Sequence, residues 1–335
     1  MNSGTVSILI PTYKRPNKLK RAITSVLSQT YADLKVIVCD NASGDETSEI
    51  AALFMQQDSR VRYYQQSENI GMNANFNFAV SKVETPFFAL LADDDYYLPN
   101  FLMDAMHGFE KYPAAMFSVL EVPVINERDE NNVLRRILDK WPKEGIYYPA
   151  EAIHLATGGA QPNLTACVFR EALKPELYFD DEVGHISDVP ILITLIAKYT
   201  FCLSKTIGLY FVRHPDAIGN TPSWHLSWYL WFRLERVIKK NTTLTPESMT
   251  SIQRLLRKRI DKLSFFWLLQ CIKVNDMETF DKIYSSLVNR PFSIYQIGGR
   301  ITHAVMKFKW TGNCFRYVLD AAYNLLRRYK DMILD

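Results

Sequence analysis

Short apolar runs recur along the first hundred residues. Each is closed by a polar cluster and followed by apolar positions at helical spacing. Residues 6–10 form a β-branched run that stops at Pro11, after which Leu19, Ile23, Val26 and Leu27 fall on one face of a helix predicted over 16–29. The run at 34–39 repeats the arrangement, closes in Asp40, Asn41, Ala42 and Ser43, and leads to a helix over 47–55. Residues 61–65 predict a short strand, 73–80 a helix, and 86–91 the strand that delivers Asp93, Asp94 and Asp95. Strands alternating with helices predict an α/β fold on a mostly parallel, doubly wound sheet, whose ligands bind beyond the carboxyl ends of the strands. Tyr13, Asp40 and the aspartates all fall at those ends.

Farther along, the pattern is mixed. Residues 101–111 predict a helix, and 116–125, 165–169 and 207–212 predict strands, joined by long polar connections of the kind that carry acceptor specificity. From about Ser223 the chain reads as helical. Ile252, Leu255, Leu256, Leu263, Phe266 and Trp267 make one stripe and Val318, Leu319, Ala322, Leu326 and Tyr329 another, and the two are expected to pack together. Trp224, His225, Trp228, Tyr229 and Trp231 are expected in a helix–helix core. The chain therefore divides into a domain over 1–220 and a mainly helical region over 221–335.

Composition adds two points. The five cysteines are scattered among apolar residues, which argues against a disulfide framework or a zinc site. No long uncharged apolar run and no leader-like N-terminus is visible, so a cytoplasmic protein is expected. Charge changes the picture more. Residues 221–335 hold 19 Lys/Arg against 9 Asp/Glu, a net +10; the rest holds 20 against 27, a net −7. The basic region suits peripheral contact with an anionic inner membrane face or a pyrophosphate-bearing lipid, and equally suits solvated helix faces. Nucleic acid is not among the expected partners.

Three carboxylates in a row at a strand end repel one another unless a cation or a hydrogen-bond network absorbs their charge. A divalent metal is the simplest remedy, and a capped turn leading into the next helix is the other reading.

The stretch 6–15, containing Pro11, Thr12, Tyr13 and Arg15, is followed in order by 25–31, 36–43, 69–71 and the aspartate run. In sequence and spacing these motifs resemble family 2 glycosyltransferases of the GT-A fold. The resemblance is strong over 5–100, weaker to about 215 and absent beyond. It implies inverting transfer of a sugar from a nucleotide-sugar donor to a hydroxyl of a saccharide or lipid-linked acceptor, with Mg²⁺ or Mn²⁺, in bacterial surface-polysaccharide or glycolipid assembly. It also implies residue roles. Asp94 ligates the metal with Asp93 or Asp95 as the second carboxylate, since Ala92 stands where the family usually has an acid. Asp93 alternatively meets the ribose. Asp40 and Asn41 serve the base, with Pro11, Thr12 and Tyr13 bracketing it, and Arg15 and Arg213 serve phosphate. Asn69, Gly71, Asn73 and Asn77 mark the next donor-site loop and helix, and His214 completes the metal shell. Asp188 is the general base, with Ser187 in place of a family acid; as an aspartate shortly before Pro190 it also suits a helix N-cap. Ala92 and Ser187 keep open a noncatalytic donor-binding or scaffold subunit. A sugar-phosphate nucleotidyltransferase is the enzymatic alternative, although the loop at 11–16 lacks the glycines such enzymes place around phosphate.

Overall fold

The structure, a computed structural model, describes residues 4–126, 129–156, 160–213, 228–240, 244–274 and 276–288. Strands β1 (Val6–Thr12), β2 (Leu34–Asp40), β3 (Val61–Gln65) and β4 (Phe87–Leu90) alternate with helices α1 (Pro16–Leu27), α2 (Thr47–Gln57) and α3 (Met72–Ser81). They lie in the order β3-β2-β1-β4, all parallel. Every residue of β1 is buried, as a central strand covered on both faces requires. Helix α1 opens on Pro16, whose missing N–H costs nothing at that position, and buries the stripe Leu19, Ala22, Ile23 and Val26.

Register decides what meets at the sheet edge. Thr12 pairs with Asp40, and Asp40 with Gln65. Leu9 pairs with Leu90, so Asp93, three residues beyond Leu90, arrives level with Thr12, three residues beyond Leu9.

The second half contains β5 (Tyr96–Tyr97), α4 (Phe101–Lys111), β6 (Phe117–Glu121), β7 (Pro123–Asn126), β8 (Asp129–Arg136), β9 (Gly145–Tyr147), α5 (Pro149–Leu155), β10 (Cys167–Arg170), α6 (Asp188–Lys198), β11 (Phe201–Ile207) and β12 (Leu209–Arg213). The main sheet has eight strands, β3-β2-β1-β4-β10-β6-β11-β9, and a second has four, β5-β12-β7-β8. Beyond β4 the main sheet is mixed: β10 runs antiparallel to both β4 and β6, and β9 antiparallel to β11. Phe169 on β10 packs between Phe88 and Phe117, with ring centroids 5.4 and 6.0 Å away.

The strand expected over 116–125 is two strands in different sheets. The chain turns where the buried Glu121 carboxylate accepts the N–H groups of Val122, Ile137 and Leu138, and Pro123, with no N–H to give, follows at once. The expected strand over 207–212 likewise divides between β11 and β12. 

Helices α7 (Trp228–Lys239), α8 (Pro246–Val274) and α9 (Met277–Val288) follow. The chain forms two compact units: residues 1–221 with 234–252, and 222–233 with 253–335. Among the described residues of the second unit, Trp267, Leu268, Cys271, Phe280 and Ile283 form a core, with Leu263 packed against it. The stripe expected over 318–329 lies outside the described residues, as do Trp224 and His225, and Tyr229 is exposed rather than in a core. Among the described residues, no helix is long and apolar enough to cross a membrane.

Candidate active site

At the carboxyl edge of β1 and β4, Thr12 Oγ1 donates to Asp93 Oδ2 at 2.7 Å. Arg15 Nη1 lies between two carboxylates, 3.0 Å from Asp93 Oδ1 and 2.9 Å from Asp94 Oδ2. One guanidinium thus faces two acids, and the trio keeps a net negative charge. Burial lowers the Arg15 pKa, but Asp93 and Asp94 outweigh it and hold the guanidinium above its ordinary value. Burial pushes Asp93 above the usual carboxylate range, and Arg15 pulls it back in part. Arg21, on α1, donates to the Asp94 carbonyl and lies over the Tyr96 ring, 4.8 Å from its centroid.

Asp95 takes a different course. Its Oδ1 accepts the Val212 N–H at 3.1 Å, which braces β12, and its Oδ2 is buried with no hydrogen-bond partner. Burial, with the Asp94 charge beside it, holds Asp95 well above the ordinary range. The structure therefore brings Asp93 and Asp94 onto one cation and commits Asp95 to the second sheet. Among the described residues, no group of three or more His, Cys, Asp or Glu is disposed to hold a metal ion. The donor set nonetheless fits a cation that arrives with a diphosphate. Mg²⁺ in such sites takes one or two carboxylates and fills its shell with phosphate and water. Asp94 is the less buried of the pair and half of a net-negative cluster, and is the carboxylate of the two open to such a cation.

The loop after β2 is built on itself. Asp40 is fully buried; its Oδ1 accepts Ser43 N and Oγ, and its Oδ2 accepts Tyr63 OH at 2.7 Å and Gln65 Nε2 at 3.4 Å. Burial and the Asp40 carboxylate raise the Tyr63 pKa. Ser43 Oγ accepts the Lys14 N–H, joining this loop to the one after β1. Lys14 and Ala42 both hold positive φ, 54° and 60°, a local strain that non-glycine residues adopt where surrounding contacts impose it. Tyr13 stands 38% exposed between these loops' ends, and its hydroxyl, hydrogen-bonded with Asn69 and near Lys14, has a lowered pKa. Pro11 is buried as part of β1.

Asn41 extends the connection to the third loop. Its Nδ2 donates to Asn69 Oδ1 at 2.8 Å, and its Oδ1 accepts the Ile70 N–H. Gly71 follows at φ 89°, where a side chain would be strained, and starts α3.

Helix α3 carries asparagines to two sides. Asn75 Nδ2 donates to the Cys39 carbonyl of β2 at 2.9 Å. Asn73 and Asn77, one turn apart, bond the backbone of 179–184 instead. The donor-site helix of the sequence reading thus spends these two amides within the protein, because a segment about a hundred residues later lies along that face. Ser187 Oγ donates to the carbonyls of Asp180 and Gly184. Helix α6 starts at Asp188 itself, so Asp188 is in its first turn and Ser187 precedes it, rather than the helix opening near Pro190. There the carboxylate is favoured by the helix dipole. On the far side, Lys240 pairs with Asp180 and Glu182, and Arg236 with Glu182. The Arg213 backbone pairs with Asn126, its side chain is not among those described, and His214 lies outside the described residues.

Arg21, Ser43, Tyr63 and the Lys240 contacts were missed from sequence. Arg21 carried a local signal, as a basic residue on the helix after the first loop, and so did Ser43, as part of the polar cluster that closes the second strand.

The chain's architecture matches that of S. aureus TarS 1–349, solved with UDP-GlcNAc, at a TM-score of 0.54 and 15% identity over 84% of this chain and 91% of that one. The mannosyltransferase PcManGT from Pyrobaculum calidifontis, solved with GDP-Man and Mn²⁺, gives a TM-score of 0.54 and 15% identity over 98% and 86%. The fold is therefore that of the GT-A glycosyltransferases. Residues 7–164, just under half of the chain, match the model of Glycosyl transferase family 2. Relatives by sequence include an uncharacterized glycosyltransferase of Rickettsia typhi, 35% identical over 70% of this chain and 60% of its own length. Another is the GalNAc(5)-diNAcBac-PP-undecaprenol beta-1,3-glucosyltransferase of Campylobacter jejuni, 23% identical over 64% and 66%. The chain spans less than two thirds of either relative's length.

Proposed function

We propose that the chain transfers a sugar from a nucleoside-diphosphate sugar to a hydroxyl of a saccharide or lipid-linked acceptor, with inversion and with help from a divalent cation. The observation that carries this reading is the cross-linking of three loops around Asp93 and Asp94 at the carboxyl edge of a GT-A sheet. Tyr13 and the loops of Asn41 and Asn69 receive the nucleotide, and Arg15 balances one of the two acids and reaches the diphosphate. Asp94 would hold the cation, with Asp93 beside it, and His214 would be the further ligand that the family resemblance implies. When bound, that cation neutralises the charge that grows on the leaving diphosphate.

Asp188 removes the acceptor's hydroxyl proton as the oxygen attacks the anomeric carbon. The new carbon–oxygen bond forms on the face opposite the leaving group, and the diphosphate departs with the electron pair of the broken bond. The lipid-linked acceptor has support from the name of the Campylobacter relative, which carries PP-undecaprenol. The basic excess over 221–335 supports peripheral docking on an anionic membrane face.

The test is release of nucleoside diphosphate from UDP-, GDP- and dTDP-sugars with membrane lipid extract as acceptor, with and without Mn²⁺. One donor should react, with the product losing the donor's anomeric configuration, and Asp94→Asn should lower turnover by about 100-fold or more. Turnover that is equal without metal and in Asp94→Asn would remove the metal-assisted mechanism. Release of pyrophosphate would point to a nucleotidyltransferase.

A further inference from the structure

We infer that Asn73 and Asn77 are positioning residues: they fix residues 179–188, and through them Asp188, to the helix that starts at the donor loop. The inference rests on the reading of Asp188 as the general base.

Asn77 makes a reciprocal pair with one peptide unit. Its Nδ2 donates to the Phe179 carbonyl at 2.9 Å and its Oδ1 accepts the Phe179 N–H at 2.8 Å. No other side chain offers a donor and an acceptor at that reach; aspartate would set an oxygen against the carbonyl, and glutamine is one methylene longer. The Phe76 and Phe179 rings pack alongside, with centroids 4.8 Å apart. Asn73 Nδ2 reaches the carbonyls of Gly184 at 3.1 Å and Asp180 at 3.4 Å. Ser187 Oγ donates to the same two carbonyls from the other side. Between these anchors Gly184 sits at φ 52°, ψ −130°, a conformation open to glycine almost alone, so the chain kinks there before Asp188 begins α6.

Asn77 pairs both groups of the Phe179 peptide in an irregular, partly buried segment, whereas the Asp180 and Gly184 carbonyls also accept the N–H groups of Val183 and Ser187, so Asn73 reinforces a turn that is already closed. Asparagine is a poor helix former, and α3 carries three within ten residues, a local cost that the contacts to β2 and to 179–184 account for. The same helix is preceded by its capping residue Gly71, in the loop tied to Asn41 through Asn69. About 9 Å of helix, from Gly71 to Asn77, thus relates the donor loop to the segment that presents Asp188. Displacing a catalytic group by about 1 Å can cost about 100-fold in rate without weakening substrate binding.

The experiment compares the full chain with Asn77→Asp, Asn73→Leu and Ser187→Ala. It measures donor affinity by calorimetry, kcat and KM of transfer, and hydrogen exchange of peptides covering 179–188. For each variant kcat should fall about tenfold or more while donor Kd stays within about threefold, with exchange accelerated in 179–188 and unchanged in β1 to β4. Donor affinity falling in step with kcat would overturn the inference, by making these residues part of the donor site. So would unchanged kcat in variants that fold. Ser187→Ala removes a donor to the same carbonyls without touching α3, and decides the question if the helix variants fail to fold. A wild-type chain that turns over no nucleotide sugar defeats the functional reading instead. The exchange measurement then decides alone, and unchanged protection of 179–188 overturns the inference too.

Discussion

Asp94 and Asp95 are neighbours of identical chemistry, yet the end of β4 turns them to different tasks. Asp94 shares a cation with Asp93, whereas Asp95 accepts one backbone N–H from β12 and keeps its other oxygen dry. Asparagine at 95 retains the acceptor for Val212, so Asp95→Asn should keep metal-dependent turnover within about threefold and stability within about 1 kcal/mol. Asp95→Leu leaves that N–H unsatisfied and should lose about 1–3 kcal/mol in denaturant unfolding. Equal loss of turnover in Asp94→Asn and Asp95→Asn would mean that both carboxylates serve the cation. At this scale the sequence showed that acids gather at a strand end, and the run of three made that legible. It did not show which way each one turns, because that depends on register with β1 and on β12, more than a hundred residues away. Asn73 and Asn77 looked like donor-site residues for the same reason: an amide serves a ligand or a peptide group equally well, and only the fold puts 179–184 beside them.

Among the elements, the turns over 181–186 carry a histidine whose protonation is linked to the fold. His185 is partly buried there, and burial lowers its pKa from the model-compound 6.5. A histidine kept neutral by the fold binds its proton more readily when the segment opens. Its contribution is thus complete above about pH 6.5 and is lost as pH falls from there through the lower folded value. Hydrogen exchange of 179–188, corrected for its intrinsic pH dependence, should therefore accelerate on acidification below about pH 6.5, and His185→Gln should lose that response. The alternation of strand and helix up to β4 was readable because the strands are closed by polar loops and α1 has a clean apolar stripe, whereas α2 and α3 bury few apolar residues. Past β4 the same signals misled. The run across 116–125 reads as one strand only if Glu121 and Pro123 are passed over, and those two residues mark the change of sheet, which is made by Glu121 gathering N–H groups from residues 122, 137 and 138.

For the molecule as a whole, charge is distributed by sequence position: −7 over residues 1–220 and +10 over 221–335. Full-length chain should co-sediment with vesicles containing anionic phospholipid and not with neutral ones, and about 0.5 M salt should release it by screening. Equal binding to both kinds of vesicle would exclude an electrostatic origin.

The placement of β10 bears on how the chain can be made. Strand β4 gains its second neighbour only when residues 167–170 slot in antiparallel, and β6 depends on the same insertion. During synthesis the first four strands can assemble early, but β4 then waits with one side open, its residues 87–90 all destined for burial. The family segment ends at residue 164, just short of that strand. A fragment cut there should express as aggregates through its unpaired β4 and β6 edges, and one extended past β12, which joins β5 to β7, should be soluble. The place where this sheet can be cut therefore lies well beyond the last residue that matches the family model.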